Sequence, residues 1–180
     1  MSLKHIKLEP VAATEENFAP FGKLIRPNAT SGRETWFYNN SVGVWDIPGM
    51  VTDDDACISV ARVRPRPMSV IWMERHFKHT QVFMPVNGQP FHIVVAPRNE
   101  AEVPDLADVR AFTFDGKAGL MLDIGTWHEF PFALDQEADI AVFLRKETNA
   151  NLEAIENGEA VGGDLEKRNI RTRMGVEFVI

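Results

Sequence analysis

Asn87-Gly88 and Asp115-Gly116 punctuate the middle of the chain, each between two short runs rich in β-branched and aromatic residues. These dipeptides supply the positive φ of a tight turn. They therefore predict two hairpins, 81–86 with 91–96 and 110–114 with 120–124. Upstream, Ile58, Val60, Arg62 and Arg64 alternate with Ser59, Ala61 and Val63. In the next run Val70, Trp72, Glu74 and His76 share one strand face, with Ile71, Met73 and Arg75 on the other. Residues 130–134 and 140–145 complete the set, and the alternation of Met174, Val176, Phe178 and Ile180 predicts a C-terminal edge strand. Seven or more short strands, with a turn signal about every ten residues, define an all-β antiparallel sandwich or barrel.

Helix is expected only at the margins. Thr14-Glu15-Glu16-Asn17-Phe18 offers a hydroxyl N-cap followed by two acids, and Pro20 and Gly22 stop it within a turn or two. Residues 149–158 can hold another turn or two, ended by Gly162-Gly163. Without repeats or a linker, 1–180 is expected to form a single domain: an N-terminal segment 1–55, a core of about 56–146 and a C-terminal extension 147–180.

Composition excludes several classes. The 19 basic against 26 acidic residues give a net charge of −7, which argues against a nucleic-acid partner. The basic groups at Arg62-Val63-Arg64-Pro65-Arg66 and Lys167-Arg168-x-x-Arg171-x-Arg173 read as solvated faces. A single cysteine, Cys57, permits no intrachain disulfide or thiolate cluster, and its apolar neighbours make it a buried structural thiol. No apolar run is long enough to cross a bilayer and no signal-like segment opens the chain, so a cytoplasmic protein without a membrane partner is expected.

Two half-motifs carry chemistry: Glu74-x-His76-x4-Gln81-x6-Gly88 and Gly125-x-x-His128. Glu74 and His76 share a face whose apolar neighbours place it inside, and a buried charge-capable pair demands a partner or a metal. In spacing these segments resemble the cupin pattern, with Glu74 and Gln81 standing where His and Glu are usual. That resemblance implies a double-stranded jelly-roll β-barrel with the four side chains converging in its mouth. Glu74-Arg75-His76, Thr80-Gln81-x-Phe83-x-Pro85, Pro104-Asp105-Leu106, Arg110-Ala111-Phe112, Gly116-x-x-Gly119 and Trp127-His128, with Arg62, Pro65 and Phe21-Gly22, are similar to the ureidoglycolate lyase family over about residues 14 to 156. What this implies is cleavage of ureidoglycolate to glyoxylate and urea in allantoin breakdown, by a cytoplasmic homodimer associated with a divalent metal.

Cleaving such a carbinolamide needs a base for the hydroxyl, an acid for the departing nitrogen and a clamp for the carboxylate. Glu74 and His76 suit proton transfer, His128 a second acid or base, and Arg62 the clamp. A divalent ion such as nickel, zinc, manganese or iron(II), held by Glu74, His76, Gln81 and His128, is the other use of the same residues. Gln81 can instead simply hydrogen-bond across the barrel. Trp72 and Trp127 read as packing, His92 as structural, His79 as a loop residue and His5 as terminal. Glu129 is expected to point away from His128, its neighbour on a strand. Another small-acid enzyme of the same fold, an isomerase or metal-dependent oxygenase, and a non-catalytic binder of a small metabolite are the alternatives.

Overall fold

Alternation becomes strands in a computed structural model that describes residues 3–30, 32–155 and 158–180. The chain opens with β1 (Lys4–Lys7), β2 (Val11–Ala12) and α1 (Glu15–Phe18). Thr14 caps α1 by accepting from the Asn17 N–H, while the Asn17 side chain returns a bond to the Thr14 N–H. There follow β3 (Gly22–Ile25), β4 (Arg33–Phe37), β5 (Val42–Asp46), β6 (Ala56–Val63), β7 (Ser69–Val70) and β8 (Trp72–His76). Next come β9 (Gln81–Pro85), β10 (Phe91–Ala96), β11 (Arg110–Phe114), β12 (Gly119–Leu122), β13 (Trp127–His128), β14 (Phe132–Ala133) and β15 (Ala138–Arg145). Beyond them lie α2 (Lys146–Ala154), β16 (Ala160–Gly162), β17 (Leu165–Asn169), α3 (Ile170–Met174) and β18 (Val176–Val179).

Two large sheets face each other. One is antiparallel throughout, in the order β3-β12-β9-β15-β6. The other runs β16-β17-β8-β13-β10-β11-β2, with β14 also on β10. Between them Phe83, Leu120, Ile140 and Val142 of the first sheet meet Phe91, Ile93, Val95 and Phe112 of the second. Phe18 docks α1 here, edge-on to Phe112 and Phe114 at centroid distances of 5.2 and 5.5 Å. The second sheet is covered on its other side as well. Val94, Ala96 and Ala111 pack with Met73, Trp127, Val176 and Phe178 under a small sheet of β1, β18 and β7. β10 is thus buried on both faces, which is why 91–96 reads as a nearly continuous apolar run. Each large apolar side chain buried there contributes about 1.5–3 kcal/mol.

Several expectations are corrected. Asn87-Gly88 and Asp115-Gly116 do turn the chain, but β9 and β10, like β11 and β12, lie in different sheets, so both turns are arches between layers rather than hairpins. The two arches touch: a Cβ on Gly116 would come within 2.2 Å of the Gly88 carbonyl oxygen. The run 70–76 does not keep one alternation, because the strand breaks at Ile71, whose carbonyl accepts from the Ile170 N–H. Val70 therefore joins Met73 in the second core, while Trp72, Glu74 and His76 keep a shared face. β18 is interior to its sheet, parallel to β1 and antiparallel to β7. Arg168, read as solvated, is 1% exposed and is held by Glu166 at 2.5 Å. Cys57 is half-buried against the first core.

Candidate active site

His76 ends β8 and Gln81 begins β9, so the four residues between them carry the chain from one large sheet to the other. The x4 spacing therefore places Gln81 facing His76, and Gln81 Oε1 lies 3.1 Å from His76 Nε2. Because an amide oxygen only accepts, Nε2 carries the proton and Nδ1 keeps a lone pair; that Nδ1 is buried without a partner. The second half-motif arrives at β13. Gly125, at φ +85, turns the chain under Arg98 and donates its N–H to the His76 carbonyl at 2.7 Å. Three residues on, His128 stands directly opposite Glu74 in the β13–β8 ladder.

His128 Nδ1 lies 3.1 Å from the Thr126 carbonyl, so that nitrogen donates and Nε2 is the lone pair. Nε2 faces Glu74 Oε1 at 3.5 Å and has no hydrogen-bond partner. A carboxylate and an imidazole lone pair at that distance call for a proton or a cation between them. Glu74, His76 and His128 each offer one ligand atom, all within 4.8 Å of one another. The donor set thus fits a divalent ion, and Gln81 Oε1, 3.1 Å from His76 Nε2, orients one of its ligands.

Burial and charge separate the ionisable groups. Burial alone would push the Glu74 carboxyl up, but His128, His76 and Lys167 outweigh it and hold the group below its ordinary value. Burial, then the neighbouring His128, pushes His76 down to about 3, so the ring stays neutral. Glu129 goes the other way, raised chiefly by burial despite Arg66 nearby. Its placement corrects the expectation. β13 ends at His128, so alternation lapses, and Glu129 helps wall the same cavity of about 410 Å³ as Trp72, Glu74, His128, Phe130 and Lys167.

Arg62 stands apart from the cluster. It lies on β6 with its guanidinium bonded to both oxygens of Asp139, at 2.8 and 3.0 Å, and its side chain is 62% exposed. With Arg64 and Arg66 it lines a neighbouring groove that shares Phe130 with the cavity. Two residues without a sequence signal complete the surroundings of His76. His79, expected in a loop, is buried, and its ring stacks on His76 with centroids 4.7 Å apart. Asp164 accepts from His79 Nδ1 at 2.7 Å, from Thr148 and from the N–H groups of Phe77 and Lys78. Burial would raise its carboxyl, yet these bonds hold it far below the usual range. His92, read as structural, pairs with Thr113 across β10 and β11.

Comparison with known proteins adds an independent line. A family model described as ureidoglycolate lyase matches residues 4–162. A ureidoglycolate lyase of Pseudomonas syringae pv. tomato is 32% identical over 156 residues, covering 83% of this chain and 88% of its own. One of Pseudomonas fluorescens is 33% identical over 156 residues, covering 83% and 89%. Among solved structures, a dTDP sugar isomerase from Desulfovibrio desulfuricans G20 overlaps 71% of this chain and 82% of its own, at 20% identity and a TM-score of 0.41.

Proposed function

The chain belongs to the ureidoglycolate lyase family, and on that premise we propose that it splits ureidoglycolate into glyoxylate and urea through the groups around Glu74 and His128. The reaction is a carbon–nitrogen bond cleavage, of the amidine-lyase type. The observation that carries this reading is one cavity wall on which a carboxyl held ionised, Glu74, faces an unpartnered imidazole nitrogen. A second carboxyl on that wall, Glu129, is biased towards its protonated form. Groups whose environments push them apart in this way are suited to opposite halves of a proton transfer.

In this scheme Glu74 accepts the hydroxyl proton of the carbinolamide. The oxygen's electron pair closes the glyoxylate carbonyl as the bond from carbon to the ureido nitrogen breaks. Glu129 delivers a proton to that nitrogen, and exchange with water returns both carboxyls to their starting states. His76, kept neutral and oriented by Gln81, supports Glu74 without competing for its proton. A divalent ion held by Glu74, His76 and His128, with nickel, zinc and manganese all compatible with one carboxylate and two imidazoles, would supply Lewis-acid polarisation of the hydroxyl oxygen.

We further read the two facing sheets as a cupin-type jelly roll, the protein as a homodimer, and its location as cytoplasmic. Among the described residues no helix is long and apolar enough to cross a membrane. Incubating the purified chain with ureidoglycolate, with and without added divalent metal, is expected to release glyoxylate. Folded protein releasing none under either condition would overturn the reading.

A further inference from the structure

The geometry points to Lys167 as the group that binds the substrate's carboxylate, an inference that deepens the reading above and rests on it. Lys167 stands directly opposite Glu74 in the antiparallel β17–β8 ladder. Paired residues in such a ladder project to the same side, so Lys167 shares the face of Glu74, His76 and Trp72. It lines the cavity with Glu74 and His128, and its Nζ sits 5.3 Å from the centre of the Trp72 ring. The aromatic face steadies the ammonium without neutralising it.

The surrounding cations are already engaged. Glu166 holds Arg75 and Arg168, at 2.6 and 2.5 Å, and Asp139 holds Arg62 at 2.8 Å. Arg66 donates to the Phe130 carbonyl at 2.9 Å and lies 3.4 Å from Glu129. Lys167 forms no ion pair among the described residues. An anion such as ureidoglycolate, entering a cavity walled by Glu74 and Glu129, needs a countercharge, and this ammonium is on the wall. Residue 167 also lies beyond the stretch 4–162 that the family model matches. Substrate recognition in this chain thus draws on its C-terminal hairpin.

The test compares the full chain with Lys167→Met and Lys167→Arg. Loss of a charge-assisted contact should raise KM for ureidoglycolate about 10- to 100-fold with kcat within about threefold, and arginine should restore most of it. A neutral amide analogue of the substrate should show no such dependence. Calorimetry with glycolate, a small 2-hydroxy acid, provides a readout without turnover: wild type should bind at least about tenfold more tightly than Lys167→Met. Lys167→Met that lowers kcat with KM unchanged would make the lysine a support for Glu74 and overturn the inference, as would equal glycolate binding. Lys167-dependent glycolate binding by a protein that releases no glyoxylate would sink the lyase reading and leave the anion site standing.

Discussion

At the scale of single residues, burial decides which groups carry protons. His76 titrates near 6.5 when unfolded but is pushed down to about 3 in the fold, first by burial and then by His128. Between those values the unfolded chain binds a proton that the folded one does not. Stability from this residue is therefore complete above about pH 6.5 and is lost as pH falls towards 3. Denaturant unfolding of chelator-treated protein should show its midpoint dropping from pH 7.5 to 4.5, and His76→Asn should flatten that slope; an unchanged slope would contradict it. Glu129, raised by burial, acts in the opposite sense, losing stability as pH rises through the carboxyl range. The slope should therefore steepen in a Glu129→Gln background.

At the scale of elements, the two arches are the most sensitive joints. Gly88 and Gly116 both have positive φ, at 72° and 82°, but only a Cβ on Gly116 meets backbone. Gly88→Ala should cost about 1 kcal/mol from φ alone, a drop in Tm of about 2–4 °C. Gly116→Ala adds a clash with the Gly88 carbonyl and should lower Tm two to three times as far, by calorimetry. Equal effects would mean that the arches do not bear on each other. These joints also mark how far the sequence could be read. Asn-Gly and Asp-Gly specify positive φ, and alternation specifies a buried face, yet neither says which strand a flank will bond to. The strands were therefore legible and their pairing was not. Glu74 and His76 were legible because they lie two apart on one strand, and Gln81 and His128 because their half-motifs have a characteristic spacing, although they stand on β9 and β13. Asp164, Glu129 and Lys167 were not. Asp164 reaches His79 across 85 positions, Lys167 acquires its face only through pairing with β8, and Glu129 escapes alternation because its strand has ended. The Arg62–Asp139 pair was not legible for the same reason, since the two lie 77 positions apart.

At the scale of the whole molecule, the strand expected to lie at an edge is covered on both sides, so β18 offers no surface for a second copy. The β4–β5 hairpin does. Trp36, Phe37 and Tyr38 are 46%, 50% and 80% exposed, an apolar display that a homodimer would cover. Sedimentation equilibrium should give twice the 20.3 kDa subunit mass, and Phe37→Asp should shift it towards one subunit; a one-subunit mass for wild type would defeat the dimer. The pairing of residues 4–7 with 176–179 has a consequence for biosynthesis. The amino end leaves the ribosome roughly ten seconds or more before its partner strand exists. Until then the nascent chain carries an unpaired β1 and an uncovered second core, so that small sheet closes only after residues 176–179 have emerged.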